Sequence, residues 1–147
     1  MTTTRTTTTS TTTNGGDVVP RRRSPIFAAL IGLVGVTVLL QGLWAGIFLE
    51  HDGARDAAGT WIDIHARGGE VAILLAIIAT VVTFVTARAR RDLWIGSLAI
   101  ILLLIVEAWI GGLIRDDSKD TLTAVHVPLG MALMGLVTWL SFRASKR

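Results

Sequence analysis

Cysteine is absent from the 147 residues, which excludes disulfide staples in the loops and any thiolate metal site. A glycine-rich nucleotide loop, a Cys/His spacing suited to zinc and a nucleophile motif are also missing, so soluble-enzyme chemistry finds no support. Charge is scarce over four long stretches. Residues 25–49 and 121–142 carry none, 64–87 carry only Arg67 and Glu70 near their start, and 93–114 carry only Glu107.

Those charge-poor stretches are what the chain has in abundance, with half its residues hydrophobic and a mean hydropathy of +0.60. A hydrocarbon core about 30 Å thick takes roughly 20 helical residues to cross. Each of the four stretches is long enough. The expected fold is all-α: an up-down four-helix bundle integral to the membrane, spanning at 25–49, 64–87, 93–114 and 121–142.

Residues 1–24 hold a Thr-rich run and three consecutive arginines, too little apolar surface to offset the entropy of ordering, and are expected to form a disordered cytoplasmic tail. The arginines followed by an apolar run look like a signal peptide, but that run exceeds a typical h-region of roughly 7 to 15 residues, so an uncleaved first span is expected. Residues 143–147 form a short basic tail. Arg21, Arg22, Arg23, Arg88, Arg90, Arg91, Arg143, Lys146 and Arg147 fall on one side of the bundle, with Arg55, Arg67, Arg115 and Lys119 on the other. Lysine and arginine near span ends stay cytoplasmic, so both termini are expected there, in a bacterial plasma (inner) membrane protein. The high pI reflects this topology, and a nucleic-acid partner is not expected.

Laying the two helical hairpins side by side reveals an internal repeat. Gln41 is followed by Ala45 and Gly46, and Glu107 by Gly111 and Gly112, at spacings of four and five; then come His65 with Gly69, and His126 with Gly130. Both halves enter the membrane in the same direction, so the repeat is parallel, with a pseudo-two-fold axis along the membrane normal. The symmetry predicts that His65 and His126 face one another across the bundle.

Two imidazoles at similar depth on two helices suit one haem iron. On a diagonal of roughly 11 to 14 Å, both side chains reach inward to Fe–N bonds of about 2 Å. Without cysteine such a haem is non-covalent, b-type. Depth fits less tightly: His126 lies about 24 Å from Phe142 and His65 about 33 Å from Ala87 at about 1.5 Å per residue. The competing reading makes each histidine an interfacial residue bonded to a loop carbonyl or a lipid headgroup. His51, without a counterpart, reads as a solvated loop residue.

Small residues are expected to make room for a macrocycle: His65, Gly69, Ala72, Ala76 and Thr83 in the second span, and Ala28, Gly35, Gly42 and Gly46 in the first. Tight helix packing explains such stripes equally well. Glu107 needs a reason, because a carboxylate within a span is costly. It either serves the site, through a haem propionate or a proton relay, or is a packing residue bonded across to Gln41. Arg67 either pairs a propionate or snorkels at the rim.

The segment VEAWIGGLIRDDSKDTLTAVHVPLGMALMGL, residues 106–136, resembles a helical hairpin of the haem A synthase family, and QGLWAGIF with IDIHARGGEVAILL resembles its partner. The resemblance implies eight-span relatives built from two four-helix halves, this chain beyond its tail being similar to one half, with His65 and His126 as the matching axial ligands. Ile62 stands where that family's substrate half has a glutamate, with Asp63 one step nearer. Ala66 replaces an arginine, with Arg67 following, and the outer-loop cysteine pair is missing. These departures weigh against oxidation of a haem methyl group. Small four-span bacterial proteins of unknown function share the general pattern.

The expected function is therefore haem binding in electron transfer or haem handling, with a redox partner or quinone unidentified and the lipid bilayer as surroundings. One alternative is a cofactor-free membrane structural or interaction protein; a second is a minimal haem A synthase-like enzyme acting as a homodimer.

Overall fold

The computed structural model describes residues 24–51 and 55–145. The threonine-rich tail and the last two basic residues lie outside them. Four helices follow in order: α1 (Pro25–Leu49), α2 (Arg55–Thr86), α3 (Arg91–Asp117) and α4 (Thr123–Ser145), the last preceded by a 3₁₀ turn at Asp120–Leu122. All four are long and apolar enough to cross a membrane. The first agrees with its sequence boundaries. The second starts nine residues earlier than expected, because Arg55, Asp56 and Asp63 mark a polar stretch but do not break a helix that alanines favour.

Local chemistry sets the ends. Pro25 occupies the first turn of α1, where its missing N–H is no loss, and the Ser24 hydroxyl accepts from the Phe27 amide at 3.3 Å. Ser118 closes α3 in the left-handed conformation, φ 53°, as its amide and that of Lys119 turn back to the Leu113 carbonyl. At the other end of the bundle Asp92 accepts from Arg90, and Arg143 lies 3.2 Å from the same carboxylate. Arg90 also donates to the Arg143 carbonyl at 2.9 Å, which fastens the α2–α3 turn to the end of α4. The Asp92 hydrogen bonds hold the Arg90 guanidinium above its ordinary pKa.

Each helix packs against its two neighbours in a closed ring, α1 on α2, α2 on α3, α3 on α4 and α4 back on α1, which puts α2 and α4 on a diagonal. The outer surface is as apolar as the interior: Leu39, Trp109 and Met131 are each more than 60% exposed. A helix apolar all round suits lipid rather than water.

The interior divides into two unlike halves. Near the arginine-rich end, Phe27, Ile31, Val34, Ile100, Val137 and Leu140 are buried almost completely, and Ala72, Ala76 and Ala79 of α2 give them space. Buried Thr83 and Ser97 return their hydroxyls to carbonyls four residues back, at 2.9 Å each, so this half contains no stranded hydroxyl. Toward the other end large side chains give way to Gln41, His65, Glu107 and His126 with glycines between them. A stable bundle has no need of that change.

The stripe expected on α1 holds at Ala28, which packs against the core, and at Gly35, which faces Val137, and is corrected at its other two members. Gly42 and Gly46 are exposed, and Phe27, Ile31, Val34 and Val38 form the inward face. Glycine has no hydrophobic side chain to bury, so the larger residues at the same helical period claim the core. On α2 the expected stripe holds at Ala72, Ala76 and Thr83.

Candidate functional site

His65 lies ten residues into α2 and His126 three residues into α4, and the two rings meet with centroids 6.2 Å apart and planes at 72°. The depth mismatch expected from sequence shrinks because α4 runs on to Ser145. Measured to the helix ends, the histidines lie about 32 Å and about 29 Å away at about 1.5 Å per residue, a difference of two residues.

Each ring has a support at Nδ1 from its own hairpin. The His65 Nδ1–H donates to the Gln41 carbonyl oxygen at 3.2 Å, and since a carbonyl only accepts, this fixes the tautomer and leaves the Nε2 lone pair free. His126 Nδ1 lies against Oε2 of Glu107. The two atoms touch without full hydrogen-bond geometry, and Glu107 Oε1 accepts no hydrogen bond. Gln41 and Glu107 are the matching residues of the sequence repeat, so each half braces its own histidine from the same position: the first with a main-chain carbonyl, the second with a carboxylate.

Helix approach holds this arrangement. A Cβ at Gly68 would collide with the Gln41 amide and the Trp44 ring, so a larger residue here, one turn below His65, requires both side chains to shift. Phe48 presents its ring to His65 edge-on at 5.6 Å. Behind His126, a Cβ on Gly111 of α3 would lie 3.6 Å from Cε1, an ordinary contact distance. Gly68, expected with Gly69 to permit tilt of α2, instead faces two bulky residues, Gln41 and Trp44, on α1.

The remaining expected residues divide. Gly69 and Gly130, one turn inward from the histidines, are partly buried, yet a Cβ on either would meet nothing within 4 Å. Packing among the described residues therefore does not require glycine at these two places. Glu107 is 8% exposed and pairs with His126, not with Gln41, whose amide donates to the Thr37 carbonyl at 3.4 Å. The expected bond between Glu107 and Gln41 thus gives way to a nearer partner on α4. Arg67 is exposed. His51 donates from Nδ1 to the Ile47 carbonyl at 3.0 Å, as a turn residue would.

The two imidazoles meet edge-on at the ordinary spacing of an aromatic pair. Among the described residues no cluster of three or more metal-ligating side chains occurs.

No family model, curated protein or solved structure matches the chain.

Proposed function

We propose that this protein is a multi-pass membrane b-type haem protein, with His65 and His126 as the two axial ligands, serving electron transfer or haem handling. The observation that carries the reading is the pair of rings 6.2 Å apart, His65 Nδ1 bound to the Gln41 carbonyl and His126 Nδ1 lying against the Glu107 carboxyl group. A ligating histidine needs its second nitrogen held by an outer partner, which fixes the ring and raises its basicity. Haem supplies a one-electron centre when bound. The protein's part would be to hold the group with His65 and His126, keep the apolar half of the bundle dry, and leave room beside Gly69 and Gly130. By resemblance the chain corresponds to one half of a haem A synthase-like assembly, and a homodimer would restore eight helices. With the basic ends inside, the site lies toward the outer face of a bacterial plasma membrane, open to a redox partner or quinone.

The test is a dithionite-reduced minus air-oxidised spectrum of the detergent-purified protein produced with a haem precursor. The expected result is a sharp reduced alpha band of six-coordinate haem b. A featureless spectrum from folded, haem-supplied protein sinks the reading. It would leave the tight Gly68 contact to favour the alternative, a cofactor-free bundle in which the histidine and glutamate pair for packing alone.

The glycines supply a second test. Because a methyl group at Gly69 meets no protein atom, Gly69→Ala is expected to leave the haem-free bundle as stable as the parent, or to raise its stability by up to about 1 kcal/mol through helix propensity. Haem affinity is expected to fall, since the methyl group enters space assigned to the macrocycle. Thermal unfolding without haem and a haem titration separate the two effects; equal affinity in parent and variant would reassign that space.

A further inference from the structure

We propose that Glu107 is a positioning residue that sets the redox poise of the histidine site, favouring the oxidised state of the metal held there. The inference rests on the haem reading. Glu107 is the only charged residue in residues 93–114, and it is buried where an unbalanced charge is heavily penalised. One of its oxygens rests on His126 Nδ1 and the other accepts no hydrogen bond, so the charge is only partly compensated by its neighbours. The matching residue of the first hairpin shows what orientation alone requires. His65 is held by an uncharged carbonyl of Gln41, a dipole with no net charge. A carboxyl group in contact with the ring at the corresponding place in the second hairpin exceeds what fixing a tautomer demands.

A change of one charge at the metal accounts for the excess. Reduction by an external one-electron donor takes iron(III) to iron(II), with no bond made or broken in the protein. The centre has one more positive charge before the electron arrives than after. A carboxylate one imidazole away stabilises the more positive state, directly and by increasing the basicity of the ligand it holds. The two axial histidines are consequently unequal, one supported by a neutral acceptor and the other by an anion.

The experiment is a mediated redox titration of the full-length, haem-loaded protein, its Glu107→Gln variant, and Glu70→Gln as a control at an exposed carboxylate of α2. Glutamine keeps the shape of Glu107 and removes its charge. The expected result is a rise in midpoint potential in Glu107→Gln equivalent to at least tenfold in the reduction equilibrium constant, 59 mV for one electron, with Glu70→Gln unchanged. An intact haem spectrum with an unchanged or lowered potential in Glu107→Gln overturns the inference and leaves the histidine reading standing. No haem band in the parent overturns both. If Glu107→Gln takes up no haem, histidine ¹⁵N spectra of the haem-free proteins decide. A change at His126 that leaves His65 alone supports the assignment, and identical resonances in parent and variant overturn it.

Discussion

Replacing either His65 or His126 by alanine is expected to weaken haem binding by more than about 100-fold, beyond the 10–100-fold typical of losing only an outer-shell partner. On the proposed haem reading each single variant removes one of the two ligands, so neither is expected to retain the six-coordinate alpha band. His51→Ala is the control, because that ring is committed to the turn carbonyl of Ile47. The two variants should differ in the absence of haem. His65→Ala abandons one carbonyl, whereas His126→Ala strands a buried carboxylate, at an expected cost of about 1–3 kcal/mol more in stability. Reduced spectra of the three variants and thermal unfolding of their haem-free forms measure both effects. Six-coordinate spectra retained in both ligand variants would contradict the assignment.

The fold was legible because membrane constraints are coarse. A long apolar run with no charge, such as residues 25–49, has one plausible conformation in lipid, where every backbone group must be satisfied within its own segment. Boundaries were harder to read where polarity and helix propensity disagree. Residues 55–63 are charged enough to resemble a loop, yet their backbone continues α2 by more than two turns above His65. Which face turns inward was harder still. In α1 the small residues looked like a seam, but lipid tolerates exposed Gly42 and Gly46 while Phe27, Ile31 and Val34 fill the centre. In a membrane both faces of a helix are apolar, so periodicity loses the contrast that identifies the inner face of a water-soluble helix.

The meeting of the two histidines was legible through symmetry. His65 and His126 are far apart in sequence, and the repeat placed them opposite each other without reference to any contact. The same repeat paired Gln41 with Glu107, but it could not say that one contributes a backbone oxygen and the other a side chain. That difference depends on how far each helix sits from its partner. Spacing along a chain does not encode such distances. The bond expected between Gln41 and Glu107 fails for the same reason: α1 and α3 occupy opposite corners of the ring, and His126 on neighbouring α4 reaches the carboxylate first.

Gly68→Leu is the substitution expected to damage the fold most. In a helix interior, exchanging glycine for a residue with better helix propensity gains up to about 1 kcal/mol, so a loss of stability must come from packing strong enough to exceed that gain. Here the Cβ alone collides with the Trp44 ring and the Gln41 amide, before the rest of a leucine is added. Overpacking of this kind costs typically about 1–3 kcal/mol, and the leucine variant is expected at or above the upper end, with Gly68→Ala between it and the parent. The effect should also reach the site. Pushing α1 away from α2 withdraws the Gln41 carbonyl from His65 Nδ1, which frees the ring to rotate and is expected to lower haem affinity by about 10–100-fold although no ligand has been changed. Gly130→Ala gives the contrasting case, since a Cβ there meets no protein atom and the helix contacts remain as they are. Unfolding of the haem-free variants in detergent, followed by haem titration, tests the sequence of effects. If Gly68→Leu proves as stable as the parent, α1 does not rely on this close approach, and the coupling between helix packing and the orientation of His65 falls with it.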